Sequence, residues 1–226
     1  MIRRHLKFSS NANRGQIGKW RDKLLNIPCF ILGNGPSLND ENISLLSPYF
    51  TVGINRAFLK LDPTVLFWQD IELWHTERKN ISRLASIKIC KTQSDPLNKF
   101  YHFKLEPGGF QLTKDPGTLY GSGSTGPLAV QFAHALGCSP IVLLGMDCSC
   151  RGIATDFYGK NPHHKPHTMA NCMAGLKWIR AAFNDKQVIS CSDNDLFPRV
   201  SLETALTRID PRWKKDRSYY TTLLTR

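Results

Sequence analysis

Two glycine-rich turns carry the most suggestive chemistry in the sequence: residues 33–37 (GNGPS) and 121–126 (GSGSTG). Glycine lets a backbone approach a phosphate closely, and a helix that starts at Ser124 and Thr125 points N–H and hydroxyl donors at phosphate oxygens. Together, Gly33, Asn34, Gly35, Pro36 and Ser37 with Gly123, Ser124, Thr125 and Gly126 suggest a bound nucleotide. Singly, the first also reads as a turn and cap, and the second as a flexible entry to a helix. Neither matches the dinucleotide fingerprint, and no GxxxxGK[ST] loop occurs. Asn55, Asp70 and Asp147 each sit just after an apolar run. Asn55 and Asp70 serve either a ligand or a helix start as caps, and Asp147 reads as functional or structural.

The run NPHHKPH contains His163, His164 and His167. Pro162 and Pro166 prevent it from forming one helix face, and no Cys or carboxylate adjoins it, so no metal site is expected. His167 opens an amphipathic stretch in which Met169, Cys172, Met173, Leu176, Ile179 and Phe183 share one face. At such a helix start a neutral imidazole is a general base; the alternative is an exposed first-turn histidine.

These residues need a scaffold, and the apolar pattern supplies one. Buried strands are expected at residues 28–33, 49–54, 64–68, 87–90, 141–144 and 188–190, with helices after the first turn to Leu46 and over 71–85, 125–136 and 167–183. Residues 91–120 read poorly, with YHFKL as a strand between turns. The alternation predicts an α/β fold with a doubly wound, mostly parallel, Rossmann-like sheet. In that architecture the ligand lies beyond the carboxyl ends of the strands, where the polar clusters fall.

The charge is uneven. Residues 1–26 carry seven Lys/Arg against one acid and residues 199–226 seven against three, whereas 27–198 hold sixteen against fourteen. A single catalytic domain, 27–198, with basic extensions at 1–26 and 199–226 is expected. The extensions suit an acidic acceptor or surface, DNA or an anionic membrane, or else are solvated tails. No apolar run spans a bilayer and no secretory leader is visible, so a cytoplasmic protein is expected, peripheral at the inner membrane face if the ends bind lipid. The seven cysteines form no CxxC pair and are expected to be reduced thiols, mostly buried.

The ordered set resembles the bacterial sialyltransferases that build lipooligosaccharide, within a superfamily that includes the 6-hydroxymethylpterin pyrophosphokinases and phage proteins. The resemblance runs over about residues 28–195. It rests on Gly33 to Leu38, on Asn55, on Ser124-Thr125-Gly126, on Ala135-Leu136-Gly137, on Gly145-Met146-Asp147, on His167 with Leu176, and on Cys191-Ser192-Asp193-Asn194. It implies His167 as catalytic base and Tyr158 as donor of a hydrogen bond to the leaving phosphate. Ser149 stands where those enzymes have their first phosphate-binding tyrosine, and Ser122 where they have an arginine.

The expected function is therefore a glycosyltransferase moving a sugar from a nucleotide donor, CMP- or UDP-linked, to an acceptor hydroxyl on a glycan, a glycolipid or a modified DNA base. It would need no metal. Alternatives are a pterin-type pyrophosphokinase using ATP and magnesium with Asp70 or Asp147 as ligands, and an inactive nucleic-acid-binding relative.

Overall fold

The computed structural model describes residues 17–95, 99–121, 123–161 and 167–226. The strands are β1 (Cys29–Leu32), β2 (Thr51–Ile54), β3 (Val65–Trp68), β4 (Ile87–Lys91), β5 (Tyr101–Glu106), β6 (Thr118–Tyr120), β7 (Ile141–Leu144) and β8 (Val188–Ser190). They form one 8-stranded sheet in the order β6-β5-β4-β3-β2-β1-β7-β8. Every neighbouring pair is parallel. The helices are α1 (Ile71–Arg83), α2 (Thr125–Ala135), α3 (Thr168–Ala182), α4 (Leu202–Thr207) and α5 (Arg217–Thr225).

The central strands are continuous apolar runs because both sheet faces are covered. Along β1, Cys29 and Ile31 enter a cluster with Phe67, Phe132 and Leu176, while Phe30 and Leu32 enter a second cluster with Leu38, Leu46 and Leu202. Leu66, Trp68 and Cys90 pack against Leu73, Trp74 and Ile81 of α1. This is the doubly wound α/β sheet the sequence predicts.

Helix α2 is buried along almost its whole length. Its one buried amide is fully used: Gln131 accepts from Tyr120 N–H at 2.9 Å and donates to Tyr120 O at 2.6 Å, fastening the edge strand β6. That strand is only three residues long, too short to leave a periodic signal in the sequence.

Three expectations change. The helix expected after Gly33 is instead two 3₁₀ turns, Pro36–Asp40 and Ile43–Leu46, with Glu41 extended between them. Asn39, Asp40 and Glu41 are drawn to partners elsewhere (Phe157 O, Arg151 and Leu202 N), which a continuous helix would not allow. The apolar core also runs past both expected domain limits. Ile17, Trp20 and Leu24 belong to the main cluster, as do Tyr220 and Leu224 of α5, and α4 buries Leu202 and Ala205. Their charges lie outward while the residues at three- and four-residue spacing point in. Finally, Cys148 and Cys172 are not reduced: they form a disulfide, with Cα atoms 5.3 Å apart, because the turn after β7 meets the second turn of α3. Cys29, Cys90, Cys138 and Cys191 are free and buried, and Cys150 is free and exposed. Among the described residues no helix is long and apolar enough to cross a membrane.

Candidate functional site

In a parallel sheet all carboxyl ends share one edge, and the chain reverses direction of winding between β1 and β7, so a crevice is expected there. The turns after these two strands lie in direct contact. Gly33 N–H donates to Leu144 O at 2.7 Å, and Gly35 N–H to Gly145 O at 2.8 Å. A Cβ on Gly33 would stand 2.3 Å from Gly145 O, and one on Gly35 2.6 Å from the Asp147 carboxyl group. Both glycines are required by the neighbouring turn. Pro36 then begins the first 3₁₀ turn.

Asp147 is buried at 3% exposure, and its carboxylate is held from within the protein. It accepts Ser37 N–H at 2.7 Å, the Ser37 hydroxyl, and Asp193 N–H at 3.2 Å. It thus ties the turns after β1, β7 and β8 together. The last of these, Cys191 to Asn194, also contributes Ser192, whose Oγ accepts Met146 N–H at 2.8 Å.

Asn34 and Asn55 present the opposite condition. Asn34 donates through Nδ2 to Ile54 O at 3.1 Å, which places it against the end of β2. Asn55 follows with φ +50°, a left-handed conformation that asparagine tolerates better than most residues. The side-chain oxygens of both, Asn34 Oδ1 and Asn55 Oδ1, are buried and have no hydrogen-bond partner among the described residues. Buried amide oxygens are ordinarily paired, so these two acceptors are apt for a donor-bearing ligand.

The segment between β7 and α3 folds over the same place. Phe157 N–H donates to Asn34 O at 2.7 Å, which sets Tyr158 beside Arg56, whose guanidinium carbon lies 5.8 Å from the phenol ring centroid. Arg56 is oriented by Glu77 at 3.0 Å and by the Thr76 hydroxyl at 3.0 Å. Burial pushes the Tyr158 phenol well above its ordinary range, with Asp156 adding to the effect and Arg56 opposing it, so the group stays a neutral donor. Arg56 is a functional candidate that the sequence reading missed. Its only signal was its place one residue beyond Asn55.

The second glycine turn lies close by. Ser124 is the cap of α2, and Thr125 Oγ1 accepts from the buried Gln69 Nε2 at 3.0 Å. Gly123 has φ +74°, and a Cβ there would fall 2.3 Å from Asn171 Nδ2. Gly126 faces Met146, whose Cε would lie 2.3 Å from an added Cβ. His167 caps α3 and is exposed, with its carbonyl accepting Asn171 N–H at 3.0 Å. One turn of helix therefore separates His167 from the residue that touches Gly123. Asp70 starts α1 beyond β3 and is exposed. Ser122, His163 and His164 lie outside the described residues.

A cavity of about 470 Å³ opens at the opposite, amino-terminal edge of the sheet, lined by Leu46, Tyr49, Thr51, Asp62, Thr64 and Arg217 among others. Four of its polar residues are bonded to one another, Arg217 to Asp62 and Thr64 to Thr51. The buried unpartnered oxygens of Asn34 and Asn55 lie at the carboxyl edge instead.

No protein-family model and no curated protein matches the chain. Among solved structures, the MAf glycosyltransferase from Magnetospirillum magneticum AMB-1 is similar with a TM-score of 0.58 at 16% identity over 93% of this chain. The chain spans 40% of the length of that protein. The sialyltransferase CstII from Campylobacter jejuni, in complex with the substrate analogue cytidine-5'-monophosphate, is similar with a TM-score of 0.47 at 16% identity, over 80% of this chain and 84% of that one. A second CstII structure, with CMP-3FNeuAc, gives 0.44 at 15% identity, over 84% and 88%. The chain is an open, all-parallel α/β protein whose polar groups converge at a switch in strand order. It shares this fold with the MAf glycosyltransferase.

Proposed function

We propose that the chain is a glycosyltransferase that takes a sugar from a nucleotide donor, CMP- or UDP-linked, and passes it to an acceptor hydroxyl. The observation that carries this reading is the pair of buried, unpartnered oxygens on Asn34 and Asn55, set beside Arg56 and Tyr158. Two acceptors suit the amino or hydroxyl groups of a nucleoside, and a guanidinium next to a neutral phenol suits the phosphate that departs. The backbone and hydroxyl donors at Ser124 and Thr125 face the same ligand. Gly33, Gly35 and Asp147 hold the floor of the site.

In the transfer, His167 removes the proton of the acceptor hydroxyl as that oxygen attacks the anomeric carbon of the donor sugar, the bond from this carbon to the phosphate oxygen breaks, and Tyr158 donates a hydrogen bond to the departing phosphate oxygen. Neither step requires a metal at the reacting atoms. A thermal-shift panel of nucleotides and nucleotide sugars tests the binding half: one base should stabilise the protein saturably, by about 2.7 kcal/mol at a hundredfold excess over Kd. Asn34→Ala and Asn55→Ala should abolish that gain. His167→Ala should lower transfer or donor hydrolysis by about 10²- to 10⁴-fold with nucleotide binding retained. Stabilisation by no nucleotide, or full turnover in His167→Ala, overturns the proposal.

A further inference from the structure

A second cluster lies under the other half of the sheet, and the function above makes no use of it. Cys90 on β4 and His102 on β5 are direct register partners, so their side chains emerge next to each other on one face. Asp95 reaches the same point from the turn that follows β4. All three are buried, at 0%, 4% and 8% exposure. Their ligand atoms lie within 4.8 Å of one another, with His102 Nε2 3.0 Å from Asp95 Oδ2. The other ring nitrogen, His102 Nδ1, is buried without a hydrogen-bond partner among the described residues. An imidazole enclosed this deeply ordinarily uses both nitrogens.

We infer that Cys90, Asp95 and His102 form a buried, three-ligand binding site for a divalent transition-metal ion of the zinc type. One sulfur, one carboxylate oxygen and one imidazole nitrogen are a ligand set that zinc accepts, at bond lengths of about 2.0–2.3 Å. Such bonds in a tetrahedron put ligand atoms roughly 3.2–3.8 Å from each other, so only small side-chain shifts separate the observed cluster from a bound geometry. The charges also balance: a dication with one thiolate and one carboxylate is neutral, the state a buried site favours. On binding, the thiol proton goes to solvent and water takes the fourth position. Phe100 N–H, 2.7 Å from Asp95 Oδ2, holds the carboxylate in place as an outer partner.

The site's position gives the ion a purpose. Ser94, adjacent to Asp95, donates to Gln69 O, and the Gln69 side chain bonds Thr125 at the start of α2. An ion at Asp95 would therefore brace the turn that supports the helix start facing the nucleotide, at a distance from the reacting atoms.

The test uses the full chain. Elemental analysis after zinc-supplemented expression should give about one zinc per protein, and removal by chelator should lower Tm, restored by adding zinc alone. Cobalt replacement should produce a thiolate-to-cobalt charge-transfer band. Cys90→Ser should remove the band and His102→Gln should reduce metal content, while Cys150→Ser, an exposed thiol elsewhere, should change neither. Should Cys90→Ser fail to fold, X-ray absorption on the wild-type zinc protein decides, with one sulfur ligand expected. Failure of the metal-free protein to bind or gain stability from zinc, unchanged metal content in Cys90→Ser and His102→Gln, or a shell with no sulfur or with several overturns the inference.

Discussion

Replacing Asp147 separates a structural carboxylate from a ligand-binding one. In Asp147→Ala, Ser37 N–H loses its acceptor in a place where Ser37 is itself fully buried. An orphaned buried donor costs about 1–3 kcal/mol, and the lost bonds are charge-assisted, so a total of about 2–4 kcal/mol is expected. Asp193 N–H, nearer the surface, can turn to water and adds little. For a chain of this size that loss lowers Tm by roughly 5–15 °C. Asp147→Asn keeps one acceptor oxygen but turns an amide N–H₂ toward another donor, so about half the loss is expected. The assay is a thermal melt of the three proteins at neutral pH, repeated with the stabilising nucleotide. The nucleotide increment should persist in whatever fraction folds. An Asp147→Ala protein melting within about 2 °C of the wild type refutes the reasoning. So does Asp147→Asn if it abolishes the nucleotide increment while leaving the melt itself unmoved.

Removal of residues 1–26 deletes Ile17, Trp20 and Leu24 from the core and should prevent cooperative unfolding; Trp20→Ala alone should cost about 3–5 kcal/mol by denaturant titration. If the basic residues before 17 meet a polyanion, deleting residues 1–16 should flatten the salt dependence of binding to DNA or anionic vesicles, and unchanged binding assigns them no such part. The hydrogen bond from Arg151 holds the Asp40 carboxyl down, from 3.8 to about 2, with Arg199 assisting. Its contribution is present above the unfolded value and is lost as pH falls toward 2, so the Tm difference between wild type and Asp40→Asn should narrow over that interval; a constant difference contradicts it. The effect should be small, since both partners are largely exposed. Peptide mapping without reductant should recover a Cys148–Cys172 crosslink, and reduction should cost about 2–4 kcal/mol for a loop of this length. Free thiols at both positions in unreduced protein would contradict the pairing.

The sheet was legible because strands buried on both faces leave unbroken apolar runs, as in CFIL, VLFW and IVLL, and because Pro127 and Gly137 bracket α2. The edge to which Asn34, Asn55, Thr125 and Asp147 belong followed from that. Which way each side chain turns did not follow, since it depends on contacts between residues 20 to 110 positions apart. Asp147 faces Ser37 and Asp193, while Asn34 and Asn55 keep oxygens unpaired. The segment that carries Tyr158 takes its shape from Asn34 O and from the side chain of Asn39, which no local propensity records. The two ends misled because a helix with a narrow apolar stripe, such as α5, has the same net charge as a solvated tail.

The strand order has a consequence for how the chain comes into being. β1 borders β7, whose partner residues are made about 110 residues later, roughly 5–20 s at ordinary rates of synthesis. During that interval the growing chain can pair β1 with β2 and continue outward to β6, leaving the other side of an entirely apolar strand as an open edge. The crevice proposed for the nucleotide cannot exist before β7 arrives, and its floor is unfinished until Asp193 reaches Asp147. A nascent protein stalled before residue 141 would therefore be compact, adhesive and without a binding site. Helpers that shield exposed strands during translation should matter more to the yield of this protein than any late-acting ligand.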